Sequence, residues 1–587
     1  TEATRKLIAP LFETAALGRI DVKGRAEPVT AHRLLSARTR PERLRGIAAL
    51  DSPLVGREAE MRLLQDAVAR VRAGVGGIVT VVGDAGIGKS RLVAEVRMQS
   101  ATHLRKPGAT HGLARGASRL ANASRLRWLE GRCLSYAGSV AYQLWLDVLR
   151  TWLDTMPQAT PAWVRETLRG RLEEVCPESI EDVCPYVGRL LSLPLSATEK
   201  SALRALEGQR LKEATLHGLE TLFQCAATDH PLVLVCEDLH WADATSLEFL
   251  ERLLALTDLV PLLVICVFRP EREHGSWHIR ELAARRYVHR HTDLWLDRLS
   301  AAEGEELLGH LLSGQTPPAG LQEWVLSYAQ GNPFYVEEIV RTLIDDEVIV
   351  QDEGTGAWRT SGAVDDVSLP GTLHGVLTAR IDRLPEPARQ VLRVASVLGR
   401  IFRHRLLAAV AGSISPAVCD ADLDAHLLTL QREGMIRERT RRPEPEYIFK
   451  HELTREAAYC GLLKKERRAL HGQTAEALER LVPGRIEEQV GLLAHHWEQA
   501  GDAEKATPYL LRAGDQARMV YAHHEATDYY ERALAFLKER GEQGQAARTL
   551  MKLGLVHTAA FEPARARQAY EEGFDLWGSG VEGPHLS

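Results

Sequence analysis

The chain of 587 residues lacks any apolar run of the roughly 18 residues that a membrane-crossing helix needs. It also lacks a surplus of positive charge. The formal net charge is −6 at pH 7, so no electrostatic footprint for nucleic acid is present and neither a nucleic-acid nor a membrane partner is expected. None of its eight cysteines forms a C-x-x-C pair, and Cys225, Cys236 and Cys266 lie inside apolar runs. That pattern predicts buried, reduced thiols and a cytoplasmic setting in place of a disulfide or zinc framework. An initiating methionine and a signal peptide are both missing; the chain opens at Thr1 and reads as a piece of something longer. What is present is an ordinary globular composition, 45% hydrophobic and 26% charged, long enough for several domains.

The most informative stretch is Gly83-Asp84-Ala85-Gly86-Ile87-Gly88-Lys89-Ser90, a match to the phosphate-binding pattern G-x-x-x-x-G-K-[ST]. A β-branched run, Gly77 to Val82, precedes it as a buried strand, and a helical pattern follows from Arg91. Strand, glycine loop and helix start aim successive N–H groups and a positive helix end at one place, which suits a polyphosphate. Lys89 then reaches the β- and γ-phosphates and Ser90 holds Mg²⁺. A second apolar strand, Leu232 to Cys236, ends in Glu237 and Asp238. Glu237 is assigned the Mg²⁺ side and Asp238 the polarising of the attacking water; the reverse assignment stays open.

Apolar strands at 78–82, 127–133, 231–237 and 262–268 alternate with helical patterns, which predicts a parallel sheet covered on both faces. Residues 101–125 read as an inserted loop and 39–53 as a linker. Residues 1–38 read as a helix from Thr4 to Phe12 and two short strands. Beyond about 300 the pattern turns helical, with Ser300 as a cap. Residues 371–475 carry helices closing at Gly399 and Met435, then a polar hairpin from Ile436 to Phe449. From 485 the chain reads as helices only, ending in an irregular tail from Gly578. Ala526, Tyr530 and Ala533 recur 40 residues on as Ala566, Tyr570 and Gly573, a repeat that suggests stacked helical pairs.

Two resemblances add to this. Leu17-Gly18, Lys23-Gly24 and Glu27-Pro28-Val29 resemble the closing segment of a class III nucleotide cyclase, whose catalytic residues would lie upstream. Leu54-Val55-Gly56-Arg57-Glu58, Glu237-Asp238-Leu239-His240-Trp241-Ala242-Asp243, Arg269-Pro270-Glu271, Gly331-Asn332-Pro333-Phe334 and Lys450-His451-Glu452 resemble the STAND-class ATPases. That resemblance implies a winged-helix domain over 371–480 and tetratricopeptide-like repeats over 481–577. It places Val55, Arg57 and Pro333 by the adenine, Arg269 at the γ-phosphate and His451 on the β-phosphate of bound ADP. Lys450 stands where a large apolar residue is common. Gly83 to Arg91 complete the set of nucleotide contacts. Duller readings remain beside these: Arg57 pairing on its own helix, Arg269 and Pro333 serving turns, His451 capping the next helix, and His240 and Trp241 only packing.

The expected protein is thus a multidomain α/β plus α chain: P-loop sheet (54–299), helical lid (300–370), winged helix and α-solenoid. Its expected work is ATP/ADP-dependent signalling with slow hydrolysis, gating an upstream cyclase and reading a protein partner through the repeats. A LuxR-type transcription regulator would need a terminal DNA-reading motif and an AAA+ remodelling motor an aromatic pore loop. The sequence offers neither.

Overall fold

The computed structural model describes residues 12–20, 29–37, 53–102, 126–134, 140–154, 159–204, 206, 209–312, 317, 320–352, 357–360, 370–414, 420–441, 444–481 and 483–580. The loop expected over 101–125 begins instead as the end of helix Lys89–Thr102; its remainder, the linker from 39 to 52 and the helix from Thr4 to residue 11 lie outside the described residues. Phe12 opens a strand instead of closing that helix. This strand, β1 (Phe12–Ile20), pairs antiparallel with β2 (Val29–Ala37).

The chain divides into two compact units. One joins residues 57–297 to 482–587; the other joins 1–56 to 298–481.

The first unit is built on five parallel strands, β3 (Gly77–Gly83), β4 (Arg127–Arg132), β5 (Leu232–Glu237), β6 (Leu262–Phe268) and β7 (His291–Leu296), in the order β4-β5-β6-β3-β7. Every residue of β3, β5 and β6 is buried, as expected where helices cover both faces and the strands need no polar side. β7 was not anticipated. It is an edge strand, His291-Thr292-Asp293-Leu294-Trp295-Leu296, in which only Leu294 and Leu296 are buried. Its polar half is used: Thr80 of β3 donates to Asp293 (2.6 Å), which also takes Arg280 (2.6 Å).

Helices Gln143–Trp152, Pro161–Val175, Ile180–Leu190 and Gln209–Asp229 give the core its aromatic centre. Trp145 meets Phe249 edge-on at 4.7 Å, and its indole N–H donates to the Ser246 carbonyl (2.9 Å). Here one expectation fails. Cys225 is not a free thiol but is disulfide-bonded to Cys176, with Cα atoms 5.6 Å apart. The partners are 49 residues apart in sequence, so their meeting depends on the packing of helix Gln209–Asp229 and leaves no local spacing to read. Cys236 and Cys266 are buried free thiols.

Residues 483–580 of the same unit are helical pairs: Val490–Ala500, Ala503–Met519, His523–Glu539, Gln543–Ala559 and Pro563–Gly580. The last helix runs to Gly580, past the expected tail start at Gly578. Gly514 and Gly554, 40 residues apart, each lie against a tyrosine ring, Tyr530 and Tyr570. The array packs on the sheet domain: Val520 joins its core and Arg189 donates to the Met519 carbonyl (2.6 Å).

In the second unit, Ser300 and Glu303 form a reciprocal capping box at helix Ala301–Leu311. Two helices, Leu373–Arg383 and Glu386–Leu398, follow the short antiparallel pair β8 (Ile349–Gln351) and β9 (Trp358–Thr360). Strands β10 (Ile401–Arg403), β11 (Ile436–Thr440) and β12 (Glu446–Phe449) form an antiparallel sheet in the order β10-β12-β11. The helix expected to close at Met435 ends at Arg432. Gly434 then turns with φ +69°, and Arg341 and Arg380 donate to the Glu433 carbonyl (3.0 and 2.8 Å).

Candidate functional site

Because the sheet is parallel, the carboxyl ends of β3, β4, β5 and β6 open on one edge, the usual place for a ligand in such sheets. Each tip carries a residue with chemistry. From β3 the chain enters Gly83–Ser90, with Gly86 at φ +79° and Gly88 at φ +103°, backbone that only glycine adopts without strain. A Cβ built on Gly88 meets nothing within 4 Å, so the loop faces open space. Ile87 points the other way and is 2% exposed. Lys89 Nζ donates to the carbonyls of Gly83 (2.7 Å) and Asp84 (2.9 Å). The helix starts at Lys89, two residues before the expected Arg91.

Ser90 Oγ donates to Glu237 Oε2 (2.5 Å), which joins the loop to the tip of β5. Burial pushes the Glu237 carboxyl above its ordinary range, and the Arg132 guanidinium opposes that push. Asp238 follows at φ +58°, in the left-handed region. Arg269, at the tip of β6, lies over the Trp241 ring at 5.5 Å. Burial lowers the Lys89 ammonium to about 8, and Arg269 adds to the lowering. Two half-buried cations held near one another form a site for an anion.

Sequence reasoning missed Arg132. It ends β4 in register with Glu237 and approaches three acids: Glu130 (3.3 Å), Glu237 (3.6 Å) and Asp238 (3.8 Å). Burial alone would lower its pKa; Glu237, Asp238, Glu130 and Asp147 more than offset this and raise it. The available signal was positional, a cation ending a strand beside the one that ends in acids.

His240, read as packing, is 3% exposed with both ring nitrogens buried and unpartnered. Its pKa is pushed down to about 3 by burial, Arg269 and Lys89, against an opposing pull from Asp238. The ring is neutral and sits among the site's charges. Arg57 is buried, donating to the Asp297 carbonyl (2.5 Å) and pairing with Glu60 on its own helix (3.4 Å).

Val55, Pro333 and His451 belong to the other unit. Val55 is a core residue there. Pro333 starts helix Pro333–Asp345 behind the cap Asn332. His451 stands at the N-cap position of helix Glu452–Cys460 without a side-chain cap bond. It stacks on Phe334 at 3.7 Å. Burial first, then Lys450, Arg400, Arg437 and Arg341, drives its pKa well below the usual value.

Among the described residues, no helix is long and apolar enough to cross a membrane. Residues 53–265 match the family model described as AAA ATPase domain; the chain contains an AAA-type ATPase domain, and nucleotide binding goes with it. An uncharacterized protein of Rhizobium meliloti (strain 1021) is 25% identical over 596 residues, covering 98% of this chain and 52% of that protein. The chain therefore spans about half the length of the curated relative it matches. Among solved structures, a STAND protein with a tetratricopeptide repeat sensor from Pyrococcus horikoshii aligns at TM-score 0.38 and 13% identity, covering 90% of this chain and 79% of that one. The Aeropyrum pernix ORC1 protein in complex with DNA aligns at TM-score 0.30 and 13% identity, covering 70% and 93%.

Proposed function

We propose that this chain is an ATP-binding regulatory switch of the STAND type, whose nucleotide state is passed to other parts of a signalling protein. The observation that carries the reading is the Ser90–Glu237 bond, which ties the glycine cradle to a strand-tip acid with Lys89 and Arg269 beside it. A magnesium ion fits that donor set. Ser90 and Glu237 offer two hard oxygens 2.5 Å apart, and Mg²⁺ takes few protein ligands and fills its shell with phosphate and water oxygens. When bound with nucleotide, the ion would neutralise phosphate charge.

The chain's own residues supply the rest. The N–H groups from Gly83 to Ser90 and the helix end beyond them bind the phosphates, and Lys89 places a charge on the β/γ bridge. Arg269, which lies over the Trp241 ring, is assigned on the family resemblance as the sensor of triphosphate against diphosphate. Asp238 is the base that orients the attacking water, and slow turnover would reset the switch. Val55, Arg57 and Pro333 are assigned to the adenine and His451 to the β-phosphate on the strength of the family resemblance.

The recipient of the signal is proposed to be a class III cyclase domain, on the resemblance of residues 17–29. The repeats are proposed to bind a protein. A groove of about 590 Å³ on the last pair, between Phe561, Tyr570 and Phe574, supports that reading. Retention of radiolabelled ATP on a filter tests the switch: wild type is expected to retain nucleotide and Lys89→Ala to lose at least tenfold. Equal retention by both proteins would end the proposal.

A further inference from the structure

The first N–H groups of a helix have no partner within it and must find one outside. In helix Ala244–Ala255, which follows the strand-tip acids, the partners come from two distant parts of the chain. Its own N-cap, Asp243, accepts from the Ser246 N–H (2.8 Å) and hydroxyl (2.6 Å). The Thr245 N–H is served by the helical array instead. Glu525, on the array helix His523–Glu539, accepts from that N–H (2.9 Å) and from the Thr245 hydroxyl (2.6 Å). Both residues are buried. The nucleotide domain thus borrows one of its helix caps from the array.

The array also reaches the turn before helix Gln143–Trp152. A Cβ on Gly491, in the array helix Val490–Ala500, would come 2.9 Å from the Val140 side chain. Next to that contact, Asp243 accepts from the N–H groups of Tyr142 (3.0 Å) and Gln143 (3.2 Å). One turn further on, Asp147 accepts from the Arg132 N–H (3.0 Å), and the Arg132 guanidinium lies beside Glu237 and Asp238. Thr245 stands eight positions after Glu237 on the other side. Both routes from the array end at the same two acids.

We propose that the array positions the nucleotide site, with Glu525 as the positioning residue that holds the segment from the strand-tip acids to Thr245. The proposal rests on the reading of the glycine cradle as a magnesium–nucleotide site. With the array docked, Ser90 and Glu237 are held 2.5 Å apart, the arrangement that suits the ion. Undocking takes the acceptor from a helix-end donor and frees the segment that carries the acids. Coupling between two binding events is reciprocal: whatever docking adds to nucleotide affinity, nucleotide adds to docking. A partner that draws the array away from Thr245 therefore weakens nucleotide binding, and bound magnesium–ATP resists that partner.

Two measurements on the full chain test it. In calorimetric titration with ATP and magnesium, Glu525→Ala should bind about tenfold more weakly than wild type, within the range usual for coupled sites. Glu525→Gln keeps an acceptor for the Thr245 N–H and should fall between them. In hydrogen exchange read by mass spectrometry, magnesium–ATP should slow the amides of helix His523–Glu539 in wild type but not in Glu525→Ala. A cap with only a structural role would not make array exchange depend on nucleotide. Equal affinity in wild type and Glu525→Ala, or array amides indifferent to nucleotide in an ATP-binding wild type, would overturn the proposal and leave the nucleotide site standing. Failure of folded wild type to bind ATP would overturn both. Should Glu525→Ala not fold, exchange in the wild type decides.

Discussion

Arg132 bears on the site as directly as the residues of the phosphate loop, although no motif marks it. Its guanidinium lies close to both Glu237 and Asp238. Removing it leaves the buried Glu237 carboxyl without its guanidinium, a change that typically costs about 3–5 kcal/mol. Arg132→Met is expected to lower the unfolding free energy in urea by that order and Arg132→Lys by less; a loss under about 1 kcal/mol in Arg132→Met would contradict this role. His240 makes a second residue-scale test. Held neutral by burial and by Arg269 and Lys89, its ring should show no titration by NMR between pH 5 and 8. A midpoint near 6.5 would mean that the ring is solvated. Arg132 escaped the sequence reading, and His240 was read there only as packing, for one reason. The phosphate loop is a contiguous string whose glycines and lysine must stand at fixed spacing, whereas Arg132 and His240 matter through neighbours that only the sheet brings together.

At the scale of elements, the runs that became β3, β5 and β6 were legible because central parallel strands are apolar on both faces. β7 was not, since an edge strand with Thr292 and Asp293 in it carries a weak pattern. The capping box at Ser300 was legible from three residues, and Ser300→Ala should lower stability by about 1 kcal/mol in a thermal melt. The array's 40-residue recurrence was legible too, and its packing gives it a test. A Cβ on Gly514 would lie 2.6 Å from the Tyr530 ring, which its hydroxyl holds in place by donating to Asp515 (2.6 Å). Overpacking of this kind costs about 1–3 kcal/mol, so Gly514→Val should lower the melting temperature. A more stable Gly514→Val protein would mean that the ring moves aside freely.

The whole molecule reads along the sequence as domains in a row, yet residues 482–587 share a compact unit with residues 57–297. The contacts that join them, such as Glu525 with Thr245 across 280 positions, leave no periodicity to detect. At this scale the nucleotide should act as a ligand of the folded state: ATP at about 100 times its dissociation constant stabilises by about 2.7 kcal/mol, and Lys89→Ala should lose that gain. The most direct test of the central claim is calorimetric titration of the full chain with ATP and magnesium. The account expects one nucleotide bound per chain, with the heat abolished in Lys89→Ala and the magnesium dependence lost in Ser90→Ala. Unchanged binding in Lys89→Ala, or no binding by folded wild type, would contradict it.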